Sequence, residues 1–188
     1  MRLRLRLLWL LLLSPWHRRL HVLDEFVLSL TVLPNDVDVS KMTDDRYLAI
    51  ADLGRVGLAW RVGLARVLVR RRWLPLATVA SLRFRHPLRL LQRYRLRTRI
   101  VSWDDDTFYL RQTFERGGRT LASGYICATF LGAHGPVHPV EVLAEVGQVA
   151  QRPPKPAVVS QLQALAASIH QEQKEHAVIA GHAHEDHA

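Results

Sequence analysis

The chain has 188 residues, with 26 lysines and arginines against 17 acids and a formal net charge of +9. A hydrophobic fraction of 48% excludes general disorder and allows one domain with a sizeable core. The single cysteine, Cys127, excludes an intrachain disulfide framework and a cysteine-built zinc site, and a pI near 10.7 points to anionic partners: phosphorylated small molecules, acidic membrane surfaces or nucleic acid.

The chain begins MRLRLRLLWLLLLSPW, in which Arg2, Arg4 and Arg6 precede an apolar run from Leu7 to Leu13. That run is far shorter than the roughly 20 apolar residues needed to span a bilayer. Ser14-Pro15-Trp16-His17-Arg18-Arg19 offers no small-x-small step for signal cleavage. Residues 1–22 therefore read as an amphipathic segment that stays on the protein, suited equally to a membrane interface and to packing its leucines on the domain. Together with the reducing compartment that a lone cysteine favours, this predicts a cytoplasmic protein with peripheral contact at the inner membrane surface.

From Leu23 to Leu33, Phe26, Leu28, Leu30 and Val32 alternate with Glu25, Val27, Ser29 and Thr31, and Pro34-Asn35 ends the strand. Thr43 suits a helix N-cap, and Asp44 and Asp45 suit the positive end of the helix dipole. Apolar or small residues at Tyr47, Ile50, Leu53, Gly57, Trp60 and Leu64 then recur at helical spacing, which predicts about five turns. Beyond Arg70-Arg71-Arg72, four strands are expected, Ala77 to Arg85, Gln92 to Trp103, Thr107 to Arg116 and Arg119 to Leu131, with Asp104-Asp105-Asp106 and Gly117-Gly118 as turns. A short helix over Pro139 to Val146, a break at Pro153-Pro154-Lys155-Pro156 and a helix from Ser160 to about Glu175 complete the chain. The layout is α+β: an antiparallel sheet of about five strands wrapped around one long central helix. Residues 23–147 form the expected domain, flanked by residues 1–22 and 148–188.

Period two places Arg93, Arg95, Arg97 and Arg99 on one side of their strand and Tyr94, Leu96, Thr98 and Ile100 on the other; Arg83 and Arg85 alternate likewise with Leu82 and Phe84. The apolar side must cover the helix, so the outer face is basic. Most of these arginines read as a solvated strand face, with one or two near an edge expected to meet a ligand phosphate. Nucleic acid is disfavoured, since no aromatic platform interleaves the arginines and no recognition motif is legible.

The stretch NDVDVSKMTDDRYLAIADLGR, opening at Asn35, carries the chemistry. It resembles the motif of the hotdog-fold acyl-CoA thioesterases related to 4-hydroxybenzoyl-CoA thioesterase, in which Asp-x-Asp leads through a short turn into an Arg-Tyr-Leu helix start. The match is strongest to the thioesterase superfamily member 6-like branch. LRLLQRYRLRTRIVSWDDDTFYL, residues 88–110, resembles a second stretch of that branch, and the similarity covers about residues 23–147.

What the resemblance implies is one hotdog domain that hydrolyses an acyl-CoA to a free acid and CoA, needs no cofactor or metal, and works as a homodimer with sites between subunits. The reactive carboxylate falls on Asp38, as base or nucleophile. Lys41, Met42, Thr43, Asp44 and Tyr47 form the substrate-binding turn and helix start, and backbone N–H groups from about Met42 to Asp45 would polarise the thioester carbonyl. Asp36 reads as a loop-bonding residue. Lys41 stands where the family usually has His, Thr43 and Asp44 replace an Asn pair, and the turn is one residue shorter. Those departures support the alternative, a non-catalytic acyl-binding or membrane-surface protein with a degenerate site. The basic outer face argues against a tetramer packed sheet face to sheet face, because burying unpaired guanidinium groups is costly.

Two other features read as structural. Cys127, between Ile126 and Ala128, suits a buried inert thiol. The terminal GHAHEDHA gathers His182, His184 and His187 in what reads as a disordered polar tail able to bind a metal only weakly. If the first segment contacts membranes, deleting residues 1–16 reduces co-sedimentation with anionic liposomes; unchanged binding assigns the leucine run to packing on the domain.

Overall fold

The computed structural model describes residues 19–185 of the protein, with side chains through Lys174. Most of the expected amphipathic segment, residues 1–18, lies outside the described residues. Strand β1 (Phe26–Thr31) leads through a 3-10 turn at Pro34–Asp36 into a small hairpin, β2 (Val37–Asp38) with β3 (Lys41–Met42). Helices α1 (Asp44–Val62) and α2 (Leu64–Arg71) precede β4 (Leu74–Phe84), β5 (Arg93–Trp103), β6 (Thr107–Arg116), β7 (Arg119–Gly132) and the short β8 (Gly135–Pro136). Helices α3 (Pro139–Glu145) and α4 (Ala157–Glu185) follow.

The main sheet runs β1-β5-β6-β7-β4, with β8 added beside β7, and its strand pairs are antiparallel. Period two gives it two unlike faces. Leu96, Phe114 and Ala122, aligned across β5, β6 and β7, are buried toward α1, while the neighbouring row of Arg97, Thr113, Ser123 and Arg83 lies on the other face, with Thr113 itself buried among its neighbours. The layout follows the α+β expectation of a curled sheet on one helix. Two small elements, the β2–β3 hairpin and β8, were too short to leave a pattern in the sequence.

Helix α1 runs for 19 residues, the roughly five turns expected, and stops just before Leu64, the last residue of its apolar spacing. Gly63 adopts a left-handed conformation, φ 94°, and its N–H caps Ala59 and Trp60 carbonyls, so that Leu64 begins α2 instead of closing α1. The core has two parts along α1. Toward its start, Tyr47, Ile50 and Ala51 pack on Tyr94, Leu96 and Phe114; toward its end, Leu58 and Val62 join Trp103, Phe108, Ile126 and Phe130. Between them lies a polar patch: fully buried Gln112 donates to the Ala51 carbonyl at 2.7 Å and to Thr98 Oγ1 at 3.1 Å.

The chain divides into two compact units, Met1–Pro154 and Lys155–Ala188. In the second unit, α4 starts three residues before the expected Ser160, at Ala157, and its backbone stays helical through Glu185. The tail expected to be disordered from Gly181 is thus helical as far as it is described. Ala177, Ala180 and Ala183 are strong helix formers, and the single Gly181 is not enough to stop them.

Gly54 is where helix and sheet come closest. A Cβ there would lie 2.5 Å from Thr98 Oγ1 and 2.8 Å from Leu96 Cδ2. Alanine ordinarily favours a helix over glycine by about 1 kcal/mol, but overpacking a filled core costs about 1–3 kcal/mol. Gly54→Ala is expected to lower stability in denaturant unfolding, against the sign of helix propensity.

Candidate active site

Asp36 and Asp38, two residues apart, have opposite environments. Asp36 is 1% exposed and its carboxylate accepts the Leu33 N–H at 2.9 Å. Its carbonyl accepts the Thr43 N–H at 3.3 Å, so this acid ties the end of β1 to the start of α1. Asp38, beyond it, is exposed at the end of β2, and its cross-strand neighbour is Lys41. The hairpin therefore sets a carboxylate beside an ammonium, while Val39 at the tip is fully exposed with φ 55°.

The hairpin is stitched to the loop before β5. Met42 N–H donates to the Leu88 carbonyl at 2.8 Å, and Lys41 bridges Arg89. These bonds correct one expectation. Of the donors anticipated from Met42 to Asp45, those of Met42 and Thr43 are already committed to Leu88 and Asp36. The Arg46 and Tyr47 N–H groups return to the Thr43 carbonyl, as a first helical turn requires. The donors left at the positive end of the dipole are those of Asp44 and Asp45, and the Asp45 N–H is drawn to its own carboxylate.

Thr43 does occupy the N-cap position, but its hydroxyl bonds to the Asp45 carboxylate and makes no cap to the backbone. That bond, with Arg46 and nearby backbone N–H groups, holds the Asp45 carboxyl below its ordinary range against a smaller desolvation effect. Asp44 is exposed beside it. The helix start thus carries negative charge of its own.

Met42 and Tyr47, expected in the substrate-binding turn, have their side chains in the core. Tyr47 packs edge-on against Phe84 and Phe114, each at a centroid distance of 5.0 Å, and its hydroxyl accepts the Leu88 N–H at 3.0 Å. Burial raises its phenol above the ordinary value. Both residues hold the turn in place; neither side chain is free to meet a ligand there. Lys41 and Asp44 remain exposed.

Further along α1, a cavity of about 330 Å³ lies among α1, α2, β4 and α3. Its wall is mostly hydrocarbon, including Val56, Leu68, Ile100 and Phe130, and its charged members are Asp52 and Arg55. Arg55 bonds to Asp52 and donates to Gln112 Oε1 at 3.0 Å; burial lowers its guanidinium from the ordinary value. This cavity and its buried amide were not anticipated from the sequence. Gln112 sits between Leu110 and Phe114 at inward period, a polar residue where the pattern asks for an apolar one, and that was the available signal.

Cys127 is buried, and burial together with Asp104 pushes its thiol up to about 11, the character of an inert thiol. Among the described residues no cluster of three or more His, Cys, Asp or Glu side chains is placed to hold a metal, and no helix is long and apolar enough to cross a membrane.

An antiparallel sheet curled on one long helix, entered through a short hairpin, is a hotdog domain. The chain belongs to the thioesterase-like superfamily, whose family model matches residues 32–162. It is 35% identical over 111 residues to Protein THEM6 of Danio rerio, covering 58% of this chain and 53% of that protein. To Protein THEM6 of Drosophila melanogaster it is 29% identical over 123 residues, 64% of this chain and 62% of that protein. These matches set it in the THEM6-like branch, and the chain spans only about half to three fifths of the length of these two relatives. Among solved structures it resembles gentisyl-coenzyme A thioesterase BH1999, with a TM-score of 0.57 and 22% identity over 65% of this chain and 100% of the other. It also resembles SAV2348 of Staphylococcus aureus, solved in complex with CoA, with a TM-score of 0.58 and 13% identity over 73% of this chain and 94% of the other. At these identities the structural likeness establishes the fold.

The Tyr47 arrangement makes a prediction. Tyr47→Phe keeps the ring contacts but leaves the buried Leu88 N–H without its acceptor, a loss of about 1–3 kcal/mol measured by chemical denaturation.

Proposed function

We propose that the protein hydrolyses acyl-CoA thioesters, with Asp38 as general base or nucleophile beside the start of α1. The observation that carries this reading is the hydrocarbon-lined cavity of about 330 Å³, a container for an acyl group in a chain of the thioesterase-like superfamily. The CoA bound in the Staphylococcus aureus neighbour supports CoA as the thiol half of the substrate.

In this reading the thioester carbonyl sits at the Asp44 and Asp45 N–H groups, where the dipole favours a developing oxyanion. Asp38 takes a proton from water, whose oxygen adds to the carbonyl carbon and expels the CoA thiolate, or attacks that carbon itself, expelling the thiolate and leaving an acyl anhydride that water then opens. Lys41 supplies opposite charge across the hairpin. The acyl chain runs along α1 toward Asp52, where the cavity begins, about 12 Å away at 1.5 Å per residue. Asp44 and Asp45 add negative charge at the oxyanion position, so turnover is expected to be slower than with neutral residues there.

A second copy of the chain is part of the proposal. Strand β4 spans Leu74–Phe84, pairs with β7 along one side, and is exposed over most of its length. Edges of that kind invite pairing. A homodimer joined at β4 covers it and supplies a second wall for exposed Asp38. Peripheral membrane contact through residues 1–16 and a cytoplasmic location accompany this reading.

The alternative is an acyl-binding protein without turnover. It is favoured by the exposure of Asp38 and by the commitment of the Met42 and Thr43 N–H groups. A hydrolysis screen over acyl-CoAs of graded chain length, paired with binding measurements, separates the two. Removing a general base costs about 10²–10⁴ in rate, so Asp38→Asn is expected to lose that factor in kcat while acyl-CoA binding is retained. Binding without turnover in the parent gives the acyl-binding reading the lead, and an Asp38→Asn variant as fast as the parent removes Asp38 from the reaction.

A further inference from the structure

The outer face of the sheet holds a second concavity, with a lining far richer in charged and polar side chains than the first. It is a groove of about 840 Å³ at the end of β1 and β5, bounded on the far side by the β6–β7 turn. Ser29 and Thr31 contribute hydroxyl-bearing side chains to its lining, and Arg93, Arg95, Arg97 and Arg116 contribute guanidinium groups.

The four cations are not equivalent. Arg97 is neutralised twice, by Glu25 and by Glu115, the latter at 2.8 Å. Arg93, Arg95 and Arg116 are exposed and have no ion pair or side-chain hydrogen bond among the described residues. The register explains how they converge: Arg93 lies opposite Thr31 and Arg95 opposite Ser29, while Arg95 also faces Glu115, the residue before Arg116. The groove's one lining carboxylate, Glu115, is the acceptor for Arg97. Three positive charges are therefore left over in one concave place. The rim opposite is Gly117-Gly118, where the absence of side chains leaves open space above the backbone.

We infer that this groove binds a phosphate-bearing ligand. Planar guanidinium forks match phosphate oxygens in pairs, and the flanking Ser29 hydroxyl is placed to donate to an oxygen the forks leave over. A nucleic-acid duplex or strand is a poorer fit, because the groove's single aromatic, Tyr94, is buried and offers no stacking platform. The site is independent of the hydrolysis proposed above: it lies on the sheet face opposite α1 and shares no lining residue with the apolar cavity. The phosphate can belong to a soluble compound or to a lipid head group, and the test has an arm for each.

The full-length protein is titrated with inorganic pyrophosphate while backbone amide resonances are followed, and is co-sedimented with phosphatidylcholine vesicles with and without phosphatidylglycerol as the anionic lipid. Three forms are compared: the parent, R93Q/R95Q/R116Q, and the charge-matched control R66Q/R85Q/R152Q. The expected result is a pyrophosphate response centred on Ser29, Thr31, Gly117 and Gly118, or retention on the anionic vesicles, that weakens by at least about tenfold in the groove variant and stays near the parent in the control. Which probe responds identifies the source. No response to either probe, or equal weakening in both variants, overturns the inference, since the latter means that net charge alone was responsible. All six positions are exposed, and unchanged circular dichroism and Tm in both variants exclude misfolding as the cause.

Discussion

The close approach of α1 to the sheet at Gly54 sets the geometry of the rest. Gln112 reaches from β6 to the Ala51 carbonyl on the helix and to Thr98 on β5, with room only because residue 54 has no side chain. A buried amide is costly unless its hydrogen bonds are made. The helix consequently has one depth and one rotation at which Gln112 is satisfied, whereas an all-apolar contact would tolerate small slides. On either side of this pin the two halves of the core fill the space between α1 and the sheet.

From that pin the two ends of α1 acquire different roles. Toward the N-terminus the packing is dense: Tyr47, Phe84, Phe114 and Tyr94 form a continuous aromatic cluster, edge-on at Tyr47 and stacked at Tyr94, and hold the Leu88 loop that in turn holds the hairpin. Toward the C-terminus, Arg55 leaves the pin for Asp52 and the packing loosens into the apolar cavity. In the proposed function the reaction falls at the tight end and the acyl chain at the loose end, with the Gln112 hydrogen bonds fixing the helix between them. The salt bridges of Arg70 and Arg71 to Glu145 tie α2 to α3 across the back of that cavity, and they keep the Glu145 carboxyl below its ordinary range.

Much of this architecture was legible in the sequence, for a definite reason. Thr107–Arg116 is a strand both by its alternation and in the structure, and the arginines of β5 face outward because a period of two leaves them no choice. The loyalty of Asp36 to its loop could also be read, since aspartate beside a turn ordinarily bonds the nearby backbone. What could not be read depends on distance across the fold. No local pattern says that the Met42 N–H will be taken by Leu88, or that Tyr47 will turn its hydroxyl inward, because the partner lies some forty residues on and is chosen by packing. Cavities are harder still: they are what side chains fail to fill, and a sequence records only what is present. The run of α4 past Glu175 rests on alanines interleaved with polar histidines, a composition shared with loose tails, so the sequence alone does not mark it as helix.

The tip of the β2–β3 hairpin has a bearing on how the molecule spends its time. Val39 is β-branched, wholly exposed and held at φ 55°, a conformation that such residues avoid, in a two-residue turn that asparagine and glycine would fill without difficulty. Nothing gained by packing offsets this, since the side chain touches only solvent. The energy well around Asp38 is therefore shallow compared with the aromatic cluster a few residues away, and the hairpin is set to sample other shapes while its anchors at Asp36 and Leu88 stay put. The acid is thus carried on a short tethered arm, whose excursions are bounded by the two anchors and whose resting position a bound molecule could reset at little energetic cost.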